Sequence, residues 1–394
     1  MSAAIDEARL LETLKRLIAF PSPQPEMDRV RACIEEAVRP ELPEDAFDRV
    51  FRDSAGSVGW RLLAGRGEGE DGRTPPPLVL CAYAGNFPAE SMPDPYAPKE
   101  VDGGKYGQRG TCLWGRGACE QIGALAAAVE AVRAFVLDKP GALKRSFLFL
   151  VNTAGETGSH EAVTTFFDEA ASVGIIPGDA VIVMGTNNEV CLGNKGRVDV
   201  PVEITGKSCH SSTPDLGVNA LDALATCIRR LKDVRLPPPD PELGPVTLVA
   251  TGAETHPRAS HTIPRRAAGM LDRRLLPGEE PGPAVDAIRD ALGDLSPARV
   301  EVSVGKFQYA NKVPRDAALP SAADAAVAGR RGASNPYYMN AALDAGYFYV
   351  RGRQAICLGP GDMGLAHTDA EMVSVRDVID GAGIYLDVLK ALLG

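Results

Sequence analysis

Ser146-Phe147-Leu148-Phe149-Leu150-Val151 is an apolar run of strand length, and Gly155-Glu156-Thr157-Gly158-Ser159 follows it closely. An apolar run without polar alternation is the pattern of a strand buried on both faces, as in parallel sheets covered by helices. A carboxylate in a glycine-rich turn just past such a strand lies where functional groups gather in open α/β sheets. Two further runs of the same kind are Leu78-Val79-Leu80-Cys81-Ala82-Tyr83 and Asp179-Ala180-Val181-Ile182-Val183-Met184. Between them, Ile122 to Leu137 reads as a long Ala-rich helix. Ahead of them, Ile5 to Ala19 places Leu10, Leu11, Leu14, Leu17 and Ile18 on one helical side. Phe20-Pro21-Ser22-Pro23 stops that helix, and helical periodicity resumes from Met27 to Val38. Strands alternating with helices predict an α/β fold with a doubly wound mixed sheet.

The texture changes near Val198. Val198 to Ile204 alternates like a half-exposed strand, and a helix over Ala220 to Leu231 follows. Strands over Val246 to Thr251 and Ala267 to Leu271, a helix over Ala284 to Leu292 and a strand over Arg299 to Val304 complete the series. Strand-helix-strand-strand-helix-strand is the ferredoxin-like α+β order. A buried strand returns at Gln354-Ala355-Ile356-Cys357-Leu358, and Val375 to Leu393 reads as a terminal helix. The expected organisation is a discontinuous larger domain, residues 1–197 and 308–394, with a small domain over 198–307 inserted into it. Biased composition is confined to the loops Gly65 to Pro77 and Leu236 to Pro245.

A length of 394 residues exceeds what one hydrophobic core serves, and 45% hydrophobic residues suffice for two. The net charge of -10 argues against nucleic acid or an anionic membrane as partner. No stretch approaches the ~20 apolar residues that span a bilayer. Met1 to Arg9 is acidic and lacks the basic start and apolar run of a signal peptide. The 8 cysteines form no CxxC pair, which suits reduced thiols in a cytoplasm. Cys33 and Cys227 sit in apolar helical patterns and read as core residues.

Two further motifs carry chemistry. Gly115-Arg116-Gly117-Ala118-Cys119-Glu120-Gln121-Ile122-Gly123 sets Glu120 just after a glycine-rich turn, and Gly359-Pro360-Gly361 precedes His367. Glu120, Glu156 and His367 form a ligand set suited to one divalent cation, zinc or manganese. With no metal, they make a polar cluster in which Glu156 and His367 would act as an acid–base pair.

Trp114-Gly115-Arg116-Gly117-Ala118, Cys209-His210-Ser211-Ser212-Thr213-Pro214 with Gly217-Val218-Asn219-Ala220, Leu271-Asp272-Arg273-Arg274-Leu275-Leu276-Pro277-Gly278, and Leu358-Gly359-Pro360-Gly361 through Ala366-His367-Thr368 occur in this order. In these stretches the chain resembles the two-zinc amidohydrolase and exopeptidase family of aminoacylases, acetylornithine deacetylase and succinyl-diaminopimelate desuccinylase. The resemblance implies a catalytic domain, a ferredoxin-like lid that forms a homodimer, and hydrolysis of an amide in a small, carboxylate-bearing substrate. It implies that His210 hydrogen-bonds the developing oxyanion and that Arg274, beside Arg273, binds the carboxylate. His261 stands where the family has Asn before an Ile-Pro pair, which alters polar recognition. Gly359 and Gly361 would bring backbone N–H groups to a substrate carboxylate, or form a plain tight turn. Lys195-Gly196 matches a turn into the lid.

The departures bear on mechanism. By the resemblance, Tyr83 stands at the first His ligand, Gly85 at the Asp that orients it, Gly155 at the general base and Gly185 at a further acidic ligand. Glu120, Glu156 and His367 correspond to the ligands of one ion, and those of the other are lost. Tyr83 would donate a proton or fill the empty position. Cys119 is a nucleophile or soft ligand if its pKa is lowered, and otherwise a structural thiol. The expected protein cleaves an amide or related C–N bond with one metal ion or none. A base contribution of roughly 10²–10⁴ in rate must then come from elsewhere than position 155. Two alternatives stay open: a metal-free lyase, isomerase or acyl-transfer enzyme on the same fold, and a non-catalytic ligand-binding paralogue.

Overall fold

A computed structural model describes residues 4–63, 76–138 and 143–394. The chain divides into two compact units, Met1–Gly193 with Lys312–Tyr338 and Tyr347–Gly394, and Asn194–Asn311 with Met339–Gly346. The biased loop Gly65 to Pro77 lies outside the described residues as far as residue 75.

The larger unit is built on a mixed sheet, nine-stranded among the described residues. Its order is Arg49–Arg52, Val58–Leu62, Phe147–Asn152, Leu78–Tyr83, Ala180–Val183, Ala355–Leu358, Cys191–Asn194 and Asn311–Lys312, with Tyr337–Met339 also paired to Cys191–Asn194. Phe147–Asn152, Leu78–Tyr83, Ala180–Val183 and Ala355–Leu358 run parallel and are buried at every residue. Helices covering both faces require continuous apolar strands, which is the pattern their sequences carry. An antiparallel hairpin, Arg49–Arg52 with Val58–Leu62, extends one side and makes the sheet mixed.

Helices Glu7–Ala19, Gly123–Leu137 and Val375–Leu393 contribute Leu14, Val132 and Leu386 to one core with Leu80 and Phe149. Glu130 is buried in this layer, and Arg9 donates to both of its oxygens from Nε (2.8 Å) and Nη2 (2.6 Å). The expected helix over Ile122 to Leu137 is α-helical from Gly123, and a wider π-helical turn, Ala118–Ile122, precedes it. Met27 to Val38 likewise begins as α-helix to Cys33 and ends in a π-helical turn. A helix over Ala318–Arg331, which the periodicity reading did not single out, packs beside the terminal helix. A small antiparallel sheet of Lys99–Asp102, Thr111–Trp114 and Met372–Ser374 pairs Trp114 with Met372. It thereby ties the chain after His367 to the turn that leads to Glu120.

The smaller unit is an antiparallel sheet in the order Leu248–His256, Arg266–Leu275, Gly196–Thr205 and Arg299–Val302. Helices Ala220–Arg230 and Pro281–Leu292 bury Leu224, Val285 and Ile288 against Val200, Val202 and Leu271. Gly196–Thr205 alternates buried and less buried residues, as a strand covered on one face must. The element order is ferredoxin-like. Leu248–His256 lies at the sheet edge and is exposed along almost its whole length. No described helix is long and apolar enough to cross a membrane.

Candidate metal centre

Three backbone devices bring Glu120, Glu156 and His367 together in the larger unit. Gly117 starts the π-helical turn in the left-handed region (φ 79°), where a Cβ would come within 2.8 Å of Asn86. Glu120 lies inside this turn, largely buried, and its carbonyl accepts from Gly185 N–H at 2.7 Å. Glu156 follows the end of strand Phe147–Asn152, and its own N–H donates to Gln24 Oε1. His367 holds a left-handed backbone (φ 62°) unusual for a residue with a Cβ, and its ring stacks on Phe87 at 3.9 Å between centroids.

His367 Nε2 lies 2.9 Å from Glu120 Oε2 and 3.7 Å from Glu156 Oε2. One ligand atom from each of these side chains lies within 4.8 Å of the other two. Two carboxylates and an imidazole, with the His367 side chain 41% exposed, are a donor set that would suit one divalent cation. In the metal-free protein the hydrogen bond to Glu120, with Glu156 beside it, raises His367 to about 10. Burial pushes Glu120 up to about 7, helped by the charge of Glu156 and opposed by His367. An imidazolium between two carboxylates thus occupies the place that a cation would take.

Arg116 supports this arrangement from beneath. It is fully buried, and Nη1 donates to Glu371 Oε2 at 2.9 Å and to Thr368 O at 3.2 Å. Nη2 donates to Ala89 O at 3.0 Å, and the guanidinium faces the Phe87 ring at 5.8 Å. One side chain therefore holds both the segment carrying His367 and the ring on which His367 rests. Cys119 Sγ lies 3.5 Å from Glu371 Oε1, and burial raises its thiol well above the usual value, the condition of a structural thiol.

Tyr83 ends strand Leu78–Tyr83, buried, with its hydroxyl 3.9 Å from Cys81 Sγ. A Cβ at Gly155 would meet its ring at 3.1 Å, so Tyr83 fills space beside position 155. Gln121 Nε2 donates to Glu156 Oε1 at 2.8 Å. Gln24, Gln121, Phe87 and Glu371 had no assigned role in the sequence. Gln121 adjoins Glu120 in the glycine-rich stretch Gly115 to Gly123, a signal that points to it, whereas nothing local marks Gln24. Gly359 N–H donates to Thr186 Oγ1 at 3.1 Å, and a Cβ at Gly361 (φ 119°) would lie 1.9 Å from Cys119 O. Close packing accounts for both glycines.

In the smaller unit His210 and His261 are exposed neighbours, 5.9 Å between ring centroids. His210 Nδ1 accepts from Ser212 N–H at 3.2 Å, which leaves the proton of the neutral ring on Nε2 as a donor. Arg273 is buried and paired with Glu279 at 2.7 Å. Arg274 is the more exposed of the two; it donates to Asp272 from Nε (2.9 Å) and Nη2 (3.2 Å) and to Asn340 O from Nη1 (3.2 Å).

Residues 87–391 match the sequence pattern of peptidase family M20/M25/M40. Acetylornithine deacetylase of Myxococcus xanthus is 26% identical over 346 residues, 84% of this chain and 83% of that protein. Succinyl-diaminopimelate desuccinylase of Granulibacter bethesdensis is 27% identical over 327 residues, 80% of this chain and 83% of that protein. The M20 family metallo-carboxypeptidase Sso-CP2 of Sulfolobus solfataricus superposes with a TM-score of 0.77 at 18% identity, over 97% of this chain and 99% of that one. That likeness establishes the fold.

Arg116→Met leaves the Glu371 carboxylate buried without its partner, and unfolding in denaturant should show a loss of roughly 3–5 kcal/mol. Adding Glu371→Leu should recover part of that loss; a double variant less stable than Arg116→Met alone contradicts the pairing.

Proposed function

The chain belongs to peptidase family M20/M25/M40, and from that premise we propose that it hydrolyses an amide C–N bond in a small, carboxylate-bearing substrate at a centre holding one divalent cation. The convergence of Glu120, Glu156 and His367 carries this reading. Curated relatives named for removing an acetyl or a succinyl group from an amino compound point to the same bond type. When bound, zinc or manganese there supplies Lewis acidity toward a carbonyl and lowers the pKa of a water.

The chain's own residues do the rest. Glu120, Glu156 and His367 would hold the ion, and the Phe87 stack and Arg116 fix His367. His210 would donate from Nε2 to the oxygen on which negative charge develops. Arg274 would meet the substrate carboxylate by exchanging its Asp272 partner for it, since its fork is already shaped for one. His261, next to His210, supplies polar recognition where the family has an amide side chain. Tyr83 keeps position 155 closed, and the turn 359–361 serves as packing.

We also propose residues 198–307 as a lid through which two chains pair. The edge strand Leu248–His256 pairs with a strand on one side only among the described residues, and Leu221, Ile228, Val249 and Met270 expose apolar surface on the same unit.

Zinc- or manganese-loaded protein should release the acyl group from members of an N-acyl amino acid panel. Glu156→Ala should lose bound metal and at least about 100-fold in kcat/KM, in line with loss of an electrostatic catalytic group. Full activity after complete metal removal would overturn the reading. Sedimentation of the wild-type chain should give a dimer and that of Val249→Lys a monomer; a wild-type monomer at micromolar concentration contradicts the proposed pairing.

A further inference from the structure

We infer that Gln24 and Gln121 are positioning residues that fix Glu156 for a one-cation centre, in space that a second cation's ligand and the general base would otherwise need. The inference rests on the one-cation reading above and names the residues that make it so. At each position where the chain departs from its family's ligand pattern, the vacated volume is taken by protein. A Cβ at Gly85 would lie 2.9 Å from Gln24 Nε2. A Cβ at Gly155 would lie 2.9 Å from Gln121 Nε2 and 3.1 Å from the Tyr83 ring. A Cβ at Gly185 would lie 2.1 Å from the backbone oxygen of Cys119, so no side chain enters there without moving the backbone. That backbone is held by Gly185 N–H to Glu120 O (2.7 Å), Thr186 N–H to Gly359 O (2.9 Å) and Asn187 N–H to Gly361 O (2.8 Å). At Gly185 the obstruction is backbone, whereas at Gly85 and Gly155 it is the amide ends of Gln24 and Gln121.

The two glutamines that fill this space also grip Glu156 from two sides. Gln24 Oε1 accepts from the Glu156 N–H, while Gln24 Nε2 donates to Thr153 O and Gln24 N–H donates to Asn86 O at 2.9 Å. Gln121 Nε2 donates to Glu156 Oε1, which leaves Oε2 as the oxygen nearer His367. Both glutamines are more than nine-tenths buried, so these bonds are shielded from competing water. Gln121 Oε1 is buried with no hydrogen-bond partner among the described residues, a cost accepted for directing the amide N–H at Glu156. A carboxamide orients a carboxylate as a second cation would, yet adds no charge and is no base. Charge balance agrees: Glu120 and Glu156 neutralise one dication, and a second would stand in a partly buried place where the ligand cluster, among the described residues, offers no third carboxylate.

Calorimetric titration of zinc into metal-stripped wild type, Gln121→Leu and Gln24→Leu tests this, with the Tm of each metal-free protein as the control for folding. One zinc per wild-type chain is expected. Gln121→Leu should weaken the Kd by ~10- to 100-fold, the usual effect of losing a partner that orients a ligand, with the metal-free Tm little changed. Gln24→Leu gives the same reading through the Glu156 N–H should Gln121→Leu not fold. Two zinc ions per wild-type chain, or variant Kd values within two-fold of wild type, would overturn the inference. A chain that binds one zinc in this Gln121-dependent way yet cleaves no N-acyl amino acid supports the inference and removes the proposed activity instead.

Discussion

Glu120 and Glu156 bring two carboxylates to one point of a partly buried site, and His367 Nε2 lies 2.9 Å from the first and 3.7 Å from the second. Two ionised carboxylates with oxygens within 4.8 Å of each other repel by ~4 kcal/mol at the effective dielectric of a protein surface. The site can hold both carboxylates ionised only with a positive charge between them. His367 as an imidazolium supplies it in the metal-free protein, and a divalent cation supplies it more strongly. Much of the surrounding structure serves to keep this triangle from relaxing apart.

That support comes from long-range contacts. The parallel strand Phe147–Asn152 delivers Glu156, the π-helical turn after Gly117 delivers Glu120, and the small sheet pairing Trp114 with Met372 draws in the segment that carries His367. Arg116 joins these, since its guanidinium reaches Thr368, Glu371 and Ala89 at once. A buried arginine is costly to desolvate, and the ion pair with Glu371 and the two backbone carbonyls offset that cost through Nη1 and Nη2, while Nε has no partner among the described residues.

Much of the fold was legible because its signals are local. Leu78–Tyr83, Phe147–Asn152 and Ala180–Val183 are apolar at nearly every residue, and the terminal helix Val375–Leu393 appears with the bounds its periodicity predicts. The hairpin Arg49–Leu62 and the sheet around Thr111–Trp114 were not legible, since short strands at an edge carry weak alternation. In the site, Glu120, Glu156 and His367 were nameable from motifs and converge in space. By the resemblance alone, the sequence sets glycine at 85, 155 and 185, where the family carries functional side chains. It did not tell what fills those places. Gln24 reaches Glu156 across 132 positions of chain, and no spacing rule connects them.

Anomalous diffraction at the zinc edge, from crystals grown or soaked with zinc, tests the central claim most directly. The account predicts one peak per chain, at coordination distance from Glu120, Glu156 and His367, with the Gln121 amide still bonded to Glu156. Two adjacent peaks, or a peak flanked by a displaced Gln121, would contradict it.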